Sequence, residues 1–167
     1  VGLFEGANYR ASDFYRPHDN ALMRNLYRPP GHVSREAILL TYYGKISPID
    51  SVSPTSLTQT FTAPAPLTLS VTPKVPSSLP ALTVEWRHND VPIEGETGNS
   101  LSFNTKDLGN GTHKIKAIIR DPTDWVRRDP TALVVEEVTW TLKLSNQVDP
   151  PVITTPLPAG SLLMPMV

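Results

Sequence analysis

The chain has no cysteine among its 167 residues, so neither a disulfide framework nor a thiolate metal site is open to it. It has no excess of charge either. Fifteen basic and sixteen acidic side chains leave a net charge of -1, which supplies no field to recruit nucleic acid or an anionic membrane surface. No apolar run approaches the roughly 18 to 20 residues that a membrane-spanning helix needs, and no signal peptide is recognisable. The histidines are His18, His32, His88 and His113, and no two of them flank a glutamate at a spacing of four. That spacing, H-E-x-x-H, puts two imidazoles and a general base on one helix face for zinc hydrolysis. Only His18 and His32 lie close, in segments too rich in proline to share a helix. The expectation is that this chain assembles no set of three metal ligands and carries no metal or cofactor of its own.

What is present is unevenly distributed. All five tyrosines (Tyr9, Tyr15, Tyr27, Tyr42, Tyr43) fall in the first 43 residues, and all three tryptophans (Trp86, Trp125, Trp140) fall after residue 85. This partition predicts two modules. Between Pro48 and Pro80 stand seven prolines but only two charged side chains, Asp50 and Lys74. Proline at that density excludes a long helix and favours extended or edge segments. Residues 47–54 read as a linker, and 56–62 and the alternation Leu67, Leu69, Val71 read as opening strands.

From there the pattern is that of a mainly β module with one buried face per strand. Leu82, Val84 and Trp86 alternate with polar residues, as do Ile115, Ala117 and Ile119, and Val138, Trp140, Leu142 and Leu144. A tryptophan on such a strand is a mark of immunoglobulin-like sandwiches, where it fills the space between the sheets. Residues 55–145 are therefore predicted to form an immunoglobulin-like β-sandwich, with His113 near the corner where many such domains carry a tying tyrosine. Asp121, Asp124 and Asp129 invite a calcium reading, but Arg127 and Arg128 within the same run favour a salt-bridged turn. Trp125 could be an exposed stacking residue, with burial under the sandwich edge the better-supported alternative. Residues 146–167 form a Pro-rich tail with no basis for a core of its own.

The first 46 residues carry the most specific pattern. They read Gly2-Leu3-Phe4-Glu5-Gly6-Ala7-Asn8-Tyr9, then Tyr15-Arg16-Pro17, Met23-Arg24 and Arg35-Glu36-Ala37-Ile38. In their order these blocks resemble the IgA-peptidase family of metzincin-like zinc metallopeptidases, in the part of the catalytic domain downstream of the zinc-binding helix. Many family members carry cysteines where this chain has Ala21 and the run Gly31-His32-Val33-Ser34, so the staple they could form is absent. The resemblance implies that residues 1–46 are the closing segment of a catalytic domain whose zinc and zinc ligands belong to a larger parent protein. The start at Val1, without an initiator methionine, fits an excised fragment.

On this reading Met23 is the Met-turn residue beneath the metal and Tyr15 is the candidate oxyanion donor. Glu5 and Arg16 are candidates for the substrate cleft, against the plainer roles of capping and of tying loop carbonyls. The partner implied is a protein or peptide substrate of the parent, and the location implied is secreted, periplasmic or cell-surface. Deprived of their natural partners, residues 1–46 are expected to pack on the sandwich, to self-associate with a second copy, or to stay mobile. The competing class is a non-catalytic immunoglobulin-like binding or adhesion module with an unrelated N-terminal extension.

Overall fold

The computed structural model describes residues 1–22, 24–74 and 80–147. In chain order it holds β1 (Phe4–Ala7), β2 (Arg10–Arg16), α1 (His32–Tyr43), β3 (Ile49–Ser53), β4 (Thr58–Phe61) and β5 (Pro66–Pro73). There follow β6 (Thr83–His88), β7 (Val91–Pro92), β8 (Ser100–Asn104), a 3-10 turn (Thr105–Asp107), β9 (Gly111–Arg120) and β10 (Val135–Leu144).

Alternation along these strands decides the architecture. Leu69 and Val71 of β5, Val84 and Trp86 of β6, Leu101 of β8, and the inward residues of β9 and β10 are buried in one cluster. Two sheets close over it. One has the order β4-β10-β9-β6-β7 and the other β3-β5-β8. β3 pairs antiparallel with β5 in the smaller sheet, and β4, next in sequence, pairs parallel with β10 in the larger. The chain crosses between the sheets at Ser53–Pro54, where the peptide is cis. The domain is a β-sandwich in which the consecutive strands β3 and β4 are divided between the two sheets.

Trp86 and Trp140 stand at its centre. Both are fully buried, with ring centroids 5.9 Å apart and planes inclined by 23°. Each indole N–H finds a carbonyl, Gly98 O at 2.8 Å for Trp86 and Pro54 O at 2.9 Å for Trp140, so neither leaves a buried donor unsatisfied. At the corner before β9, His113 Nε2 lies 3.2 Å from Gly109 O and ties the loop as a tyrosine does elsewhere. Gly109 and Gly111 flank it with φ of +77° and +134°, where a side chain would be strained.

Residues 47–54 correct the linker reading, because Ile49–Ser53 is a strand of the sandwich. Its prolines lie at the ends of a short edge strand, where a missing N–H costs no ladder bond. The tail begins anchored. Gln147 is buried, takes the Thr105 hydroxyl at 2.5 Å, and donates its backbone N–H to Asn110 Oδ1 at 2.8 Å. Residues 148–167 lie outside the described residues.

The N-terminal segment is a separate hairpin and helix set against one end of the sandwich. β1 and β2 pair antiparallel about Asn8 and Tyr9, both at positive φ (51° and 60°), as a tight hairpin turn requires. α1 docks on the loop between β9 and β10. The Glu36 carboxylate accepts the backbone N–H groups of Arg127 (3.1 Å) and Arg128 (2.9 Å). The Arg35 guanidinium lies 4.9 Å from the centre of the Trp125 ring, and Tyr43 donates its hydroxyl to Asp121 Oδ2 at 2.7 Å. Just beyond the helix, the Ser47 hydroxyl reaches Glu136 at 2.8 Å. Packing on the sandwich is thus the outcome taken by α1.

Candidate functional site

The hairpin, the turn that follows it and the start of α1 enclose a cleft of about 520 Å³. Among its lining residues are Gly6, Tyr9, Arg16, His18, Arg24 and Ser34. Arg16 sits there because the register of the hairpin returns β2 beside the start of β1, with Phe4 opposite Arg16. Its guanidinium is spent on the protein itself. It donates to the carbonyls of Glu5 and Gly6, and to Asp19 through Asp19 O at 3.3 Å and Asp19 Oδ1 at 3.0 Å. Arg24 also holds Asp19, at 2.8 Å. These forks fix the loop, the plainer of the two roles read from the sequence.

Glu5 and Tyr15 do not line this cleft. Glu5 lies on the exposed hairpin, where Oε1 accepts the Asp13 backbone N–H at 3.2 Å, a local cap. Tyr15 lies opposite Glu5 in the register and is 58% exposed. Met23 lies outside the described residues.

The structure instead joins two residues that sequence reasoning kept apart. His18, on the loop after β2, and His32, the first residue of α1, have ring centroids 5.2 Å apart. His18 Nε2 accepts the backbone N–H of His32 at 3.3 Å. Gly31 makes this approach possible, since a Cβ there would stand 3.0 Å from the imidazole. His18 Nδ1 is buried without a partner. Burial lowers the His18 pKa below 6.5, and the positive charges of the amino terminus, His32, Arg35 and Arg127 lower it further. The signal in the sequence was Pro29-Pro30-Gly31, an extended lead into α1 that ends in a residue without a Cβ.

On the sandwich, the acidic loop serves the helix. Asp121 takes Tyr43 and the Thr123 backbone N–H (2.8 Å), and Asp129 takes the Val134 N–H (2.8 Å). Burial and the Asp121 contact raise the Tyr43 pKa, so its hydroxyl stays a donor. Trp125 is half-buried beneath Arg35. The second histidine pair, His88 and His113, brings Nε2 and Nδ1 to 3.0 Å. Among the described residues no group of three His, Cys, Asp or Glu side chains has the geometry to hold a metal ion. No helix among them is long and apolar enough to cross a membrane. No model of a known protein family matches the chain, and no curated protein matches it.

Proposed function

We propose that this chain is the C-terminal part of a secreted zinc metallopeptidase of the IgA-peptidase type. Residues 1–46 close the catalytic domain of the parent, and the sandwich is its accessory domain for holding substrate or a surface. Beyond the ordered sequence blocks, one observation supports the reading. Of the fifteen exposed large hydrophobic residues described, thirteen lie in the first 46 positions, among them Leu3, Leu26, Ile38 and Tyr42. A 12-residue helix with no buried residue is half of a packing unit, and an exposed apolar surface of this extent marks a missing partner. The parent supplies the zinc, its ligands and the general base, and hydrolyses peptide bonds.

The sequence encoded immediately before Val1 tests the proposal. An H-E-x-x-H helix is expected there, and its absence sinks the metallopeptidase reading in favour of a non-catalytic binding or adhesion module. At the protein level, the parent should carry one zinc per chain and cleave peptides in a chelator-sensitive way. This chain alone, after extensive dialysis, should do neither, because zinc hydrolysis needs three protein ligands and an open position.

A further inference from the structure

α1 starts without the usual devices. Its N-cap is Gly31, which has no side chain to offer, and its first turn holds no acidic residue. The first N–H groups of a helix have no partner within it, and a side-chain acceptor normally supplies one. Here the acceptor comes from 14 residues upstream, as His18 Nε2 takes the His32 N–H. An imidazole can accept at Nε2 only while that nitrogen is unprotonated.

We propose that His18 is an acid-sensitive latch holding the 1–31 segment to α1, closed when the ring is neutral and opened by a single proton. Protonation converts Nε2 from acceptor to donor, so that two N–H groups face each other across 3.3 Å. The new imidazolium stands at the positive end of the helix dipole. The groups that bear on it from the packed elements are all basic and disfavour a second positive charge there. They are His32 and Arg35 on α1, Arg127 on the β9–β10 loop, and the amino terminus. Asp19, the neighbouring acid, is held by Arg16 and Arg24. The sign follows: a histidine whose folded pKa is lowered contributes stability above its unfolded pKa of about 6.5, and loses it as pH falls through and below that value. The latch concerns this chain alone and stands whatever the N-terminal segment belongs to.

Amide exchange of the whole chain at pH 7.5 and 5.0, corrected for intrinsic rates, tests the latch, with the β9 and β10 amides as internal reference. Protection of the 18–36 region should fall relative to that reference as pH drops below about 6.5, by at most tenfold per pH unit, the limit for one proton, and should level off once the pH is below the lowered pKa of His18. His18→Gln places a non-titrating carbonyl oxygen near the same N–H and should flatten this response, whereas His32→Gln should retain it. The His18 ring resonance in the unaltered protein gives a second reading and should titrate below 6.5. Protection unchanged with pH, an equal loss in His18→Gln, a response abolished by His32→Gln, or a ring titrating at or above 6.5 would each overturn the proposal.

Discussion

The two regions of this molecule satisfy opposite halves of the folding requirement. In the sandwich the apolar side chains are closed over one another, and each central tryptophan has both a stacking partner and a hydrogen-bonded N–H. In residues 1–46 the polar requirement is met instead. Arg16 gathers carbonyls, Glu5 and Glu36 cap backbone donors, and His18 serves the first amide of α1. Yet among the described residues there, the only buried side chain of a hydrophobic residue is that of Ala21. Hydrogen bonds exchanged with water contribute little net stability, whereas burial of apolar area is the dominant favourable term. The first region therefore has a definite shape but little stability of its own, and the second has both.

The sharpest way to break this comparison is to remove a central side chain. Trp86→Ala should destabilise the sandwich by about 3 to 5 kcal/mol on chemical denaturation, the usual range for a large buried aromatic. A loss under about 1 kcal/mol would mean that the core is not closed around it. Tyr43→Phe should act next most strongly and locally, costing about 1 to 2 kcal/mol because the Asp121 carboxylate keeps its burial and loses a donor. Amide exchange should then quicken in α1 while β9 and β10 stay protected. Equal quickening everywhere would show that helix and sandwich unfold as one.

Acidification should weaken the sandwich too. Burial first, and then the charge of His113, hold the His88 pKa below its ordinary value. The stability this histidine contributes is present above pH 6.5 and declines as pH falls below it. Thermal melting at pH 7.5 and 5.5 should show the decline, reduced in His88→Gln. The smallest effect should come from the exposed face of α1. Ile38→Lys should change the stability of this chain by about 0.5 kcal/mol or less, as surface substitutions do. A large loss there would mean that the helix face is covered, by a second copy or by the sandwich, and a concentration-dependent loss would identify the copy.

The sandwich was legible in the sequence because a period of two, once one face is buried, fixes strand, face and core together. The inward sets of β5, β6, β9 and β10 were read residue by residue from that period. The division of β3 and β4 between the two sheets was not, since residues 47–54 carry the proline and serine content of a linker and only Ile49 and Val52 hint at pairing. In the N-terminal segment the sequence pointed to Glu5, Tyr15 and Arg16. The geometry turns the Glu5 and Arg16 side chains to their own backbone and leaves Tyr15 exposed on the hairpin. The His18–His32 contact was hidden because its logic is three-dimensional: a glycine without a Cβ, a helix without a side-chain cap, and an imidazole from 14 residues upstream brought against it. The service of Asp121 and of the 127–128 amides to α1 was equally out of reach, for those contacts span 78 to 92 residues of sequence.

That clamp also determines how the molecule carries a load. α1 is joined covalently to β3, an edge strand of the smaller sheet, and a pull on the helix alone would peel that strand away one hydrogen bond at a time. The contacts of Glu36, Tyr43 and Ser47 divert part of the tension to the β9–β10 loop and the start of β10. β9 lies in the middle of the five-stranded sheet and β10 beside it, so the force enters along strands flanked by partners on both sides. These must shear many bonds at once to yield. Tension applied through α1 therefore loads the sandwich through its centre rather than along its edge.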